Sequence, residues 1–400
     1  MFPNTSPLAF AFIGGLSVSQ GLFIAPLSTR IVHLYGTRVC LLIGVFLQLL
    51  SFIGASFSTK KYQIILSQGI CFGWGMGFLF VGSIGVVGQW FTTKRGLANS
   101  IAAAGSGVGG LIYSLAVQSM IDSIGLPWTF RVLGINAFTV NFICTNLIKD
   151  RNQAVDAHYK AFDKSLLKRP EFVLLQGWAI FSMLGYIGFL YSLPNYAISI
   201  GLSAKQASII AALNCLGQAL GRPPIGLASD RIGRINVSVL ATVVCGLVCI
   251  VFWIPAKGMG LLSFVAIVGG ALSGTFWATI ASVGAEVLGL SDLPAGLSIT
   301  WVALIVPTTV SEPIALELRR ENAADVYLHA QIFIAMMYVA AAACLLVVRG
   351  WQVGRLQEKP AQAAEKVSES GSGSSAGDGG AELNKFKRGM ISNMFTKGFV

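Results

Sequence analysis

Three polar residues recur at four-residue intervals in an otherwise apolar stretch: Asn214, Gln218 and Arg222. If the stretch is helical, this spacing places them on one face, within about 80° of arc. An arginine there can bind a carboxylate through two parallel hydrogen bonds. The pattern predicts an anion-binding stripe. The alternative is that the two amides bond between helices and Arg222 extends to a polar surface.

Two acidic residues lie in similarly apolar surroundings and are candidates for proton transfer. Glu312 precedes Pro313, whose missing N–H frees a carbonyl and loosens a helix, which would couple a titrating carboxyl to bending. Glu286 either titrates as well or lies in solvent at the end of its segment. Arg131, at the start of another apolar stretch, either forms a structural pair or contacts a ligand.

The stretch GLASDRIGR, Gly226 to Arg234, concentrates charge in a chain that is poor in it. Gly226 and Gly233 permit tight turns and a close approach of helices. An acid and an arginine at a helix end can pair with each other or cap a neighbouring helix. We predict that Asp230, Arg231 and Arg234 form a conformational latch. The alternative is that they are ordinary surface anchors.

A degraded copy of this stretch occurs earlier, in PLSTRIVHLYGTR, Pro26 to Arg38. Aligning Gly36 with Gly233 puts His33 where the later copy has its acid. A latch in this copy needs another acid or is titratable at His33. The alternative is a loop histidine without a special role.

The composition indicates where these residues lie. Hydrophobic residues make up 54% of the 400, charged residues only 11%, and the mean hydropathy is +0.71, which exceeds what a soluble core needs. We therefore predict an all-α polytopic membrane protein, since helices satisfy their own backbone in lipid. Runs of about 20 apolar residues predict eleven membrane helices: Leu8–Ser28, Arg38–Ser58, Gln63–Phe91, Gly96–Met120, Thr129–Ile148, Glu171–Pro194, Gln206–Ala228, Ile235–Pro255, Gly260–Leu290, Pro294–Leu318 and Tyr327–Val348.

The distribution of positive charge predicts the orientation. Most Lys and Arg residues fall in alternate loops, including both motif loops, and such loops stay cytoplasmic. The net charge of +11 thus reflects contact with the bilayer's inner leaflet, and nucleic acid is not an expected partner.

The predicted helices form two groups. A polar loop at residues 149–170 separates an amino-terminal bundle, 8–148, from a carboxy-terminal bundle, 171–348. Residues 349–400 are predicted to be a disordered cytoplasmic tail, because Gln357–Glu382 is poor in apolar residues. The seven cysteines lie inside the apolar segments without a CxxC pair, so we expect packing roles and no metal.

Several small-residue and aromatic patterns have a packing interpretation. GSGVGG, Gly105 to Gly110, fits G-x-G-x-x-G, but without a preceding strand it does not predict a dinucleotide site. We expect no cofactor and no enzyme activity. GxxxG spacings predict close helix packing. The spacings are Gly69, Gly73 and Gly77; Gly105 and Gly109; and Gly270 and Gly274. Five aromatic residues are candidates to line a cavity for a planar substrate, with lipid or packing contacts as the alternative: Trp74, Tyr186, Tyr191, Trp277 and Trp301.

The motif loops resemble the signature of the major facilitator superfamily, in which two six-helix bundles rock about a central site. Further stretches are similar to the monocarboxylate transporter family, particularly its fungal branch, over roughly Ser17 to Val348. These are LSQG (66–69), FGWGMG (72–77), QWF (89–91), KRGLA (94–98), AGSGVGG (104–110), PWTFR (127–131), LPNY (193–196), GLS (201–203) and SEPI (311–314).

The resemblance implies alternating-access secondary transport of a small organic anion or metabolite, as a symporter or as an efflux carrier of a fungal secondary metabolite. It implies possible coupling to protons and a place in the plasma membrane. In animal lactate carriers of the family an Asp lies four residues before the arginine that matches Arg222, and here that residue is Gln218. Any proton acceptor must therefore lie elsewhere, or the substrate must differ.

The resemblance also implies twelve helices with both ends cytoplasmic, whereas eleven are visible, five before the polar loop and six after it. We therefore expect the family's first helix to be missing, the amino terminus to face outside and the cavity to lack one wall. The alternative function, of another class, is a truncated receptor or a defective fragment that does not transport.

Overall fold

The computed structural model describes residues 7–91, 94–150, 163–289, 292–320 and 325–369, and in these ranges the chain is mainly helical, with short connections and without strands. We number the α-helices in chain order. They are α1 Pro7–Phe23, α2 Ala25–Tyr35, α3 Thr37–Ser56, α4 Lys61–Ile64, α5 Phe72–Trp90, α6 Arg95–Leu147, α7 Pro170–Ser199, α8 Ala204–Ile232, α9 Arg234–Val248, α10 Met259–Ser273, α11 Thr275–Leu288, α12 Leu293–Ala303, α13 Ile305–Glu317 and α14 Leu328–Glu369. Two π-helical turns, Ile65–Cys71 and Cys249–Trp253, continue α4 into α5 and extend α9.

The predicted membrane crossings are confirmed as helices. In the described ranges, nine helical runs are long and apolar enough to cross a membrane. One of them, α6, bends at Gly125, where φ is 76° and ψ is 160°, two residues before Pro127. It therefore has a first leg, residues 95–124, and a second leg, residues 126–147. Helix α8 has the required length but carries the polar stripe, and with it the predicted segments are all accounted for.

Three predicted segments contain breaks that the sequence analysis missed. The first divides into α1 and α2 at Ile24, the ninth into α10 and α11 at Gly274, and the tenth into α12 and α13 at Leu304. Apolarity reports residence in lipid but does not distinguish a straight helix from a bent one. Packing against neighbouring helices decides where the axis changes direction.

The predicted tail boundary at residue 349 was wrong, because α14 continues to Glu369. Residues 357–369 are rich in Ala, Glu, Lys and Gln, which favour a helix even without an apolar face. The rest of that tail, 370–400, and residues 151–162 of the predicted loop lie outside the described residues. The described end of that loop forms a 3₁₀ turn, Lys164–Lys168.

We call helices α1–α6 the amino-terminal bundle and helices α7–α14 the carboxy-terminal bundle. The two bundles meet most extensively where the first leg of α6 lies along α8, and again where α1 lies along α13. Because α8 and α13 belong to the second bundle, these two contacts determine how the bundles are placed on either side of the space between them.

Missing side chains allow the α6–α8 contact. A methyl group added to Gly107 would lie 2.5 Å from the backbone nitrogen of Ala219 and 2.8 Å from the carbonyl oxygen of Cys215. Methyl groups added to Gly105 and Gly109 would meet no atom of the described residues within 4 Å, so in this part of the chain they do not form the predicted close contact. The helix turns Gly107 toward α8, a direction that the GxxxG spacing does not show.

The other two glycine sets do pack as predicted. Methyl groups added to Gly73 or Gly77 would meet backbone atoms of α1. A methyl group on Gly270 would meet Asn214, and one on Gly274 would lie 2.8 Å from Nε of Arg222. Close backbone approach therefore brings α5 to α1, and brings α10 and α11 to the polar stripe of α8.

We predict that Gly107→Ala destabilises the protein and that Gly105→Ala, on the same helix, does not. Overpacking a close contact costs about 1–3 kcal/mol, whereas a helical Gly→Ala change in open space gains up to about 1 kcal/mol in propensity. Thermal unfolding of detergent-purified protein should therefore show a lower Tm for Gly107→Ala alone. Equal Tm values for the two variants would contradict the contact.

Candidate functional site

A cavity of about 440 Å³ lies between the bundles. Helices α1 and α5 and the first leg of α6 line it on one side, and α7, α8 and α11 on the other. Small-molecule sites typically occupy about 300–1,000 Å³ and lie where structural units meet. The cavity therefore has the size and place of a ligand site.

Arg222 is the positively charged residue of the cavity lining. Its side chain is only 2% exposed. Nη1 donates to the carbonyl oxygen of Ala103 at 2.5 Å and to Oγ of Ser106 at 2.6 Å, and Nη2 donates to Oε1 of Gln218 at 2.7 Å. Within the described residues these partners are all neutral, and Nε is buried without a partner. The guanidinium thus keeps an uncompensated charge and an unused donor.

The rest of the predicted stripe has other contacts. Gln218 is buried, and its Oε1 also accepts from the hydroxyl of Tyr186 at 3.1 Å. Gln218 therefore helps to fix the position of the Arg222 guanidinium. Asn214 is 1% exposed and lies against Gly270 of α10. The structure therefore brings Arg222 and Gln218 together at the cavity and places Asn214 in a helix contact.

Of the aromatic candidates, Trp277, Tyr186 and Tyr191 line the cavity. The ring of Trp277 stacks on Trp301 with centroids 5.9 Å apart and an interplanar angle of 13°. The ring of Phe80, from α5 in the opposite bundle, lies nearly perpendicular to that of Trp277, with the two centroids 5.5 Å apart. Trp74 lies outside the cavity lining, is 37% exposed and donates from Nε1 to Oε1 of Gln20 at 3.0 Å.

Glu312 is buried on α13, 8% exposed, and its Oε2 has no hydrogen-bond partner in the described part of the chain. A methyl group on Gly14 of α1 would lie 3.7 Å from that oxygen and 3.8 Å from the hydroxyl of Tyr191, which lines the cavity. A carboxyl without a cationic partner is thus placed beside the cavity at the α1–α13 contact.

The two remaining candidates lie apart from the cavity lining. Glu286, near the end of α11, has a buried Oε2 without a partner among the described residues, and it lies in the field of Arg234. Arg131 packs its guanidinium over the rings of Phe57 and Trp128, 4.7 Å from each centre. Its Nε donates to Oγ of Ser56 at 3.3 Å. These contacts correspond to the structural pair rather than to the ligand contact, the two alternatives for this residue.

The predicted latch residue Asp230 joins the two bundles. Its carboxylate accepts from the backbone N–H of Gly96 at 3.1 Å and of Leu97 at 2.9 Å, at the start of α6. An acid here satisfies two unpaired helix donors and complements the positive end of the helix. Gly226 makes room for this contact, since a methyl group there would meet Ser100 and lie 2.6 Å from the carbonyl oxygen of Gly96.

The other members of the motif have different surroundings. Gly233 joins α8 to α9 with φ 108°, a conformation that favours glycine. Arg231 is exposed, and Arg234 is partly buried near Glu286. In the earlier copy Gly36, with φ 85°, makes the equivalent junction between α2 and α3, and His33 is exposed. The cap therefore comes from the aspartate of the later copy.

The sequence analysis did not identify Phe80, Ala103 or Ser106 as site residues. Ala103 and Ser106 are three residues apart, so they lie on one face of a helix, and Ser106 falls within the glycine-rich run. That spacing was the available signal. No sequence signal identified Phe80, because a single phenylalanine in an apolar helix does not indicate which neighbouring helix it contacts.

We predict that Asp230→Ala weakens the contact between α8 and the start of α6, because loss of a capping side chain costs about 0.5–2 kcal/mol. Labelling of a reporter cysteine at Asn99, in a cysteine-free background, should become several-fold faster from the cytoplasmic side. Arg231→Ala is the control and should label at the original rate. An unchanged rate in Asp230→Ala would contradict the latch.

Comparison with known proteins agrees with this architecture. The family profile described as Major Facilitator Superfamily matches residues 4–302. "Probable transporter MCH2" of Saccharomyces cerevisiae is 32% identical over 360 residues, which are 88% of this chain and 76% of that protein. "Uncharacterized transporter ESBP6" of the same yeast is 30% identical over 92% of this chain, which spans 57% of that protein's length.

A relative with a more specific name is the "Fujikurins efflux protein" of Gibberella fujikuroi, 25% identical over 84% of this chain and 72% of its own length. These relatives are fungal transporters, as the stretches that resemble the fungal branch of the monocarboxylate transporter family implied. With a helical two-bundle scaffold around a central cavity, the chain is a multi-pass membrane transporter and not an enzyme, and it belongs to the Major Facilitator Superfamily.

Proposed function

We propose that the protein is a secondary active transporter of a small organic anion, with Arg222 as the residue that binds the anion. The observation that carries the proposal is the guanidinium at the cavity, which is buried, has neutral partners among the described residues and keeps Nε unused. Burying a charge in a membrane helix is costly. A carboxylate would offset that cost through charge-assisted hydrogen bonds.

The position of Arg222 suggests how binding and movement are coupled. Arg222 belongs to α8, whereas Ala103 and Ser106, which accept from its Nη1, belong to α6 of the other bundle. An anion that draws the guanidinium toward the cavity competes for the donors that hold the bundles together. Binding therefore weakens the α6–α8 contact, as alternating access requires of a substrate.

We predict that Arg222→Gln, which removes the charge but keeps hydrogen-bonding groups, lowers anion flux by about ten- to hundred-fold. The loss corresponds to charge-assisted hydrogen bonds of about 1.5–3 kcal/mol. Arg222→Lys should retain part of the flux. The measurement is uptake of labelled acetate, lactate, benzoate and phenylacetate into proteoliposomes.

The matched control is Arg131→Gln, which removes a membrane arginine outside the cavity and should leave flux near the original level. We propose that the carrier resides in the plasma membrane. The amount of each variant in the plasma membrane of cells separates loss of transport from loss of protein. Flux at the original rate in Arg222→Gln would show that Arg222 does not bind the anion.

Protons are the proposed coupling ion, with Glu312 as the carrier of the proton. Gln218 occupies the position where an acid would lie beside Arg222, so that residue does not titrate. Glu312 is instead buried beside the cavity, near Tyr191, without a cationic partner in the described chain. Protonation would remove its charge from an apolar surrounding, which favours movement of the helix that carries it.

We predict that Glu312→Gln abolishes the stimulation of uptake by an inward proton gradient while anion exchange without a gradient continues. The amide imitates the neutral carboxyl permanently, so the variant cannot gain or lose the proton. Uptake at imposed pH gradients measures this, with Glu286→Gln as the control that keeps the stimulation. Persisting stimulation in Glu312→Gln would exclude this residue as the proton carrier.

Export of a bulkier metabolite is the second candidate function, favoured by the volume and apolar character of the cavity. Export and import differ in the side from which the substrate enters. Accumulation of substrate by inside-out vesicles, but not by right-side-out vesicles, would support export.

A further inference from the structure

Apart from Arg222, the cavity is lined mainly by hydrocarbon and aromatic groups. Val18 and Leu22 of α1, Ile84 of α5, and Ile187 and Leu190 of α7 face it. Its neutral polar groups are few, chiefly the hydroxyls of Ser83, Ser106, Tyr186 and Tyr191 and the amide of Asn99. A ligand that fills this space must therefore be mostly apolar, with a small polar part that reaches Arg222.

An aromatic group of three rings crosses the cavity from one bundle to the other. Trp277 and Trp301 are stacked in the carboxy-terminal bundle. The ring of Phe80, in the amino-terminal bundle, lies nearly perpendicular to both, with centroids 5.5 Å from Trp277 and 5.4 Å from Trp301. Trp301 is 2% exposed, whereas Trp277 is only partly buried and lines the cavity. Trp277 and Phe80 thus contribute aromatic surface to the cavity wall.

The aromatic surface and the charge are linked. Tyr186 places its ring 6.4 Å from that of Trp277, and its hydroxyl donates to Gln218, which in turn accepts from Arg222. One cavity therefore presents a guanidinium and an aromatic face on neighbouring parts of its wall.

The volume of the cavity is larger than a very small anion needs. A cavity of about 440 Å³ corresponds to roughly fifteen water molecules at about 30 Å³ each. A two- or three-carbon carboxylate would leave most of that space to water, which apolar walls hold poorly. A carboxylate that carries a ring would occupy more of the space than acetate does and would cover both the guanidinium and the apolar wall.

We propose that the preferred substrate is a flat, aromatic monocarboxylate, whose carboxylate binds Arg222 and whose ring packs on Trp277 beside Phe80. This proposal rests on the proposed function, in which Arg222 binds the anion. It adds the chemical class of the rest of the substrate, which is aromatic. Edge-to-face and offset-stacked contacts with the three rings select a planar π-system over a saturated ring of the same size.

The test is competition against labelled phenylacetate, with the purified full chain in nanodiscs and four unlabelled probes: phenylacetate, cyclohexylacetate, acetate and the neutral phenylacetamide. We expect phenylacetate to bind about tenfold or more tightly than acetate, and several-fold more tightly than cyclohexylacetate. We expect phenylacetamide to compete weakly.

Substitutions in the aromatic wall test the same point. Trp277→Ala should reduce the preference for phenylacetate over acetate by about tenfold, and Trp277→Phe should restore most of that preference. Phe80→Ala should reduce it as well. Trp74→Phe, a change outside the cavity, is the matched control and should keep the preference unchanged.

The outcomes separate the two proposals. Equal affinities for acetate and phenylacetate, with both lost in Arg222→Gln, would overturn the aromatic substrate and support the anion site. Strong competition by phenylacetamide, with no effect of Arg222→Gln, would overturn both proposals. A preference for phenylacetate that Trp277→Ala and Phe80→Ala leave intact would overturn the assigned ring position.

Discussion

The buried guanidinium of Arg222 constrains the helices around it more than any other group in the cavity. Placing an arginine inside a membrane helix costs about 2.5–3.5 kcal/mol on insertion scales, and the cost falls when its N–H groups find acceptors. Here two of those acceptors, Ala103 and Ser106, belong to the opposite bundle. The bonds that make the charge tolerable are therefore the bonds that hold α6 against α8.

Those bonds require backbones that approach closely, which accounts for the small residues around the site. Gly107 lets α6 come within contact of Ala219, and Gly274, at the break between α10 and α11, leaves the space that the guanidinium occupies. Gln218 adds an acceptor without a charge. An acid at that position would neutralise Arg222, so the amide leaves the positive charge available to a ligand.

The cavity lies between two contacts that join the bundles. On the side predicted to be cytoplasmic, Asp230 caps the start of α6. Toward the other side, α1 meets α13, where a methyl group on Gly15 would lie 2.8 Å from the carbonyl oxygen of Thr309. Both contacts consist of caps and backbone approach, with no ion pair among the described residues there. Contacts of this kind can separate at modest cost, as the proposed alternating access would require.

The sequence by itself determined the class of protein, the number of crossing segments and the residues that could carry charge in lipid. Apolar length and the rarity of buried charge are properties of the chain, because lipid forces helices and penalises every arginine or glutamate inside it. Asp230, which caps the start of α6, was also visible, since its motif is local. In contrast, the sequence did not show the breaks at Ile24, Gly274 and Leu304, or the true end of α14.

Only the tertiary structure decided which faces meet. It turned Gly107 rather than Gly105 toward α8, placed Trp277 at the cavity and Trp74 outside it, and brought Phe80 across to the tryptophans of the other bundle. In an apolar helix every face is compatible with lipid, so periodicity cannot assign a direction. Contacts between segments more than a hundred residues apart select the face, and no local pattern records them.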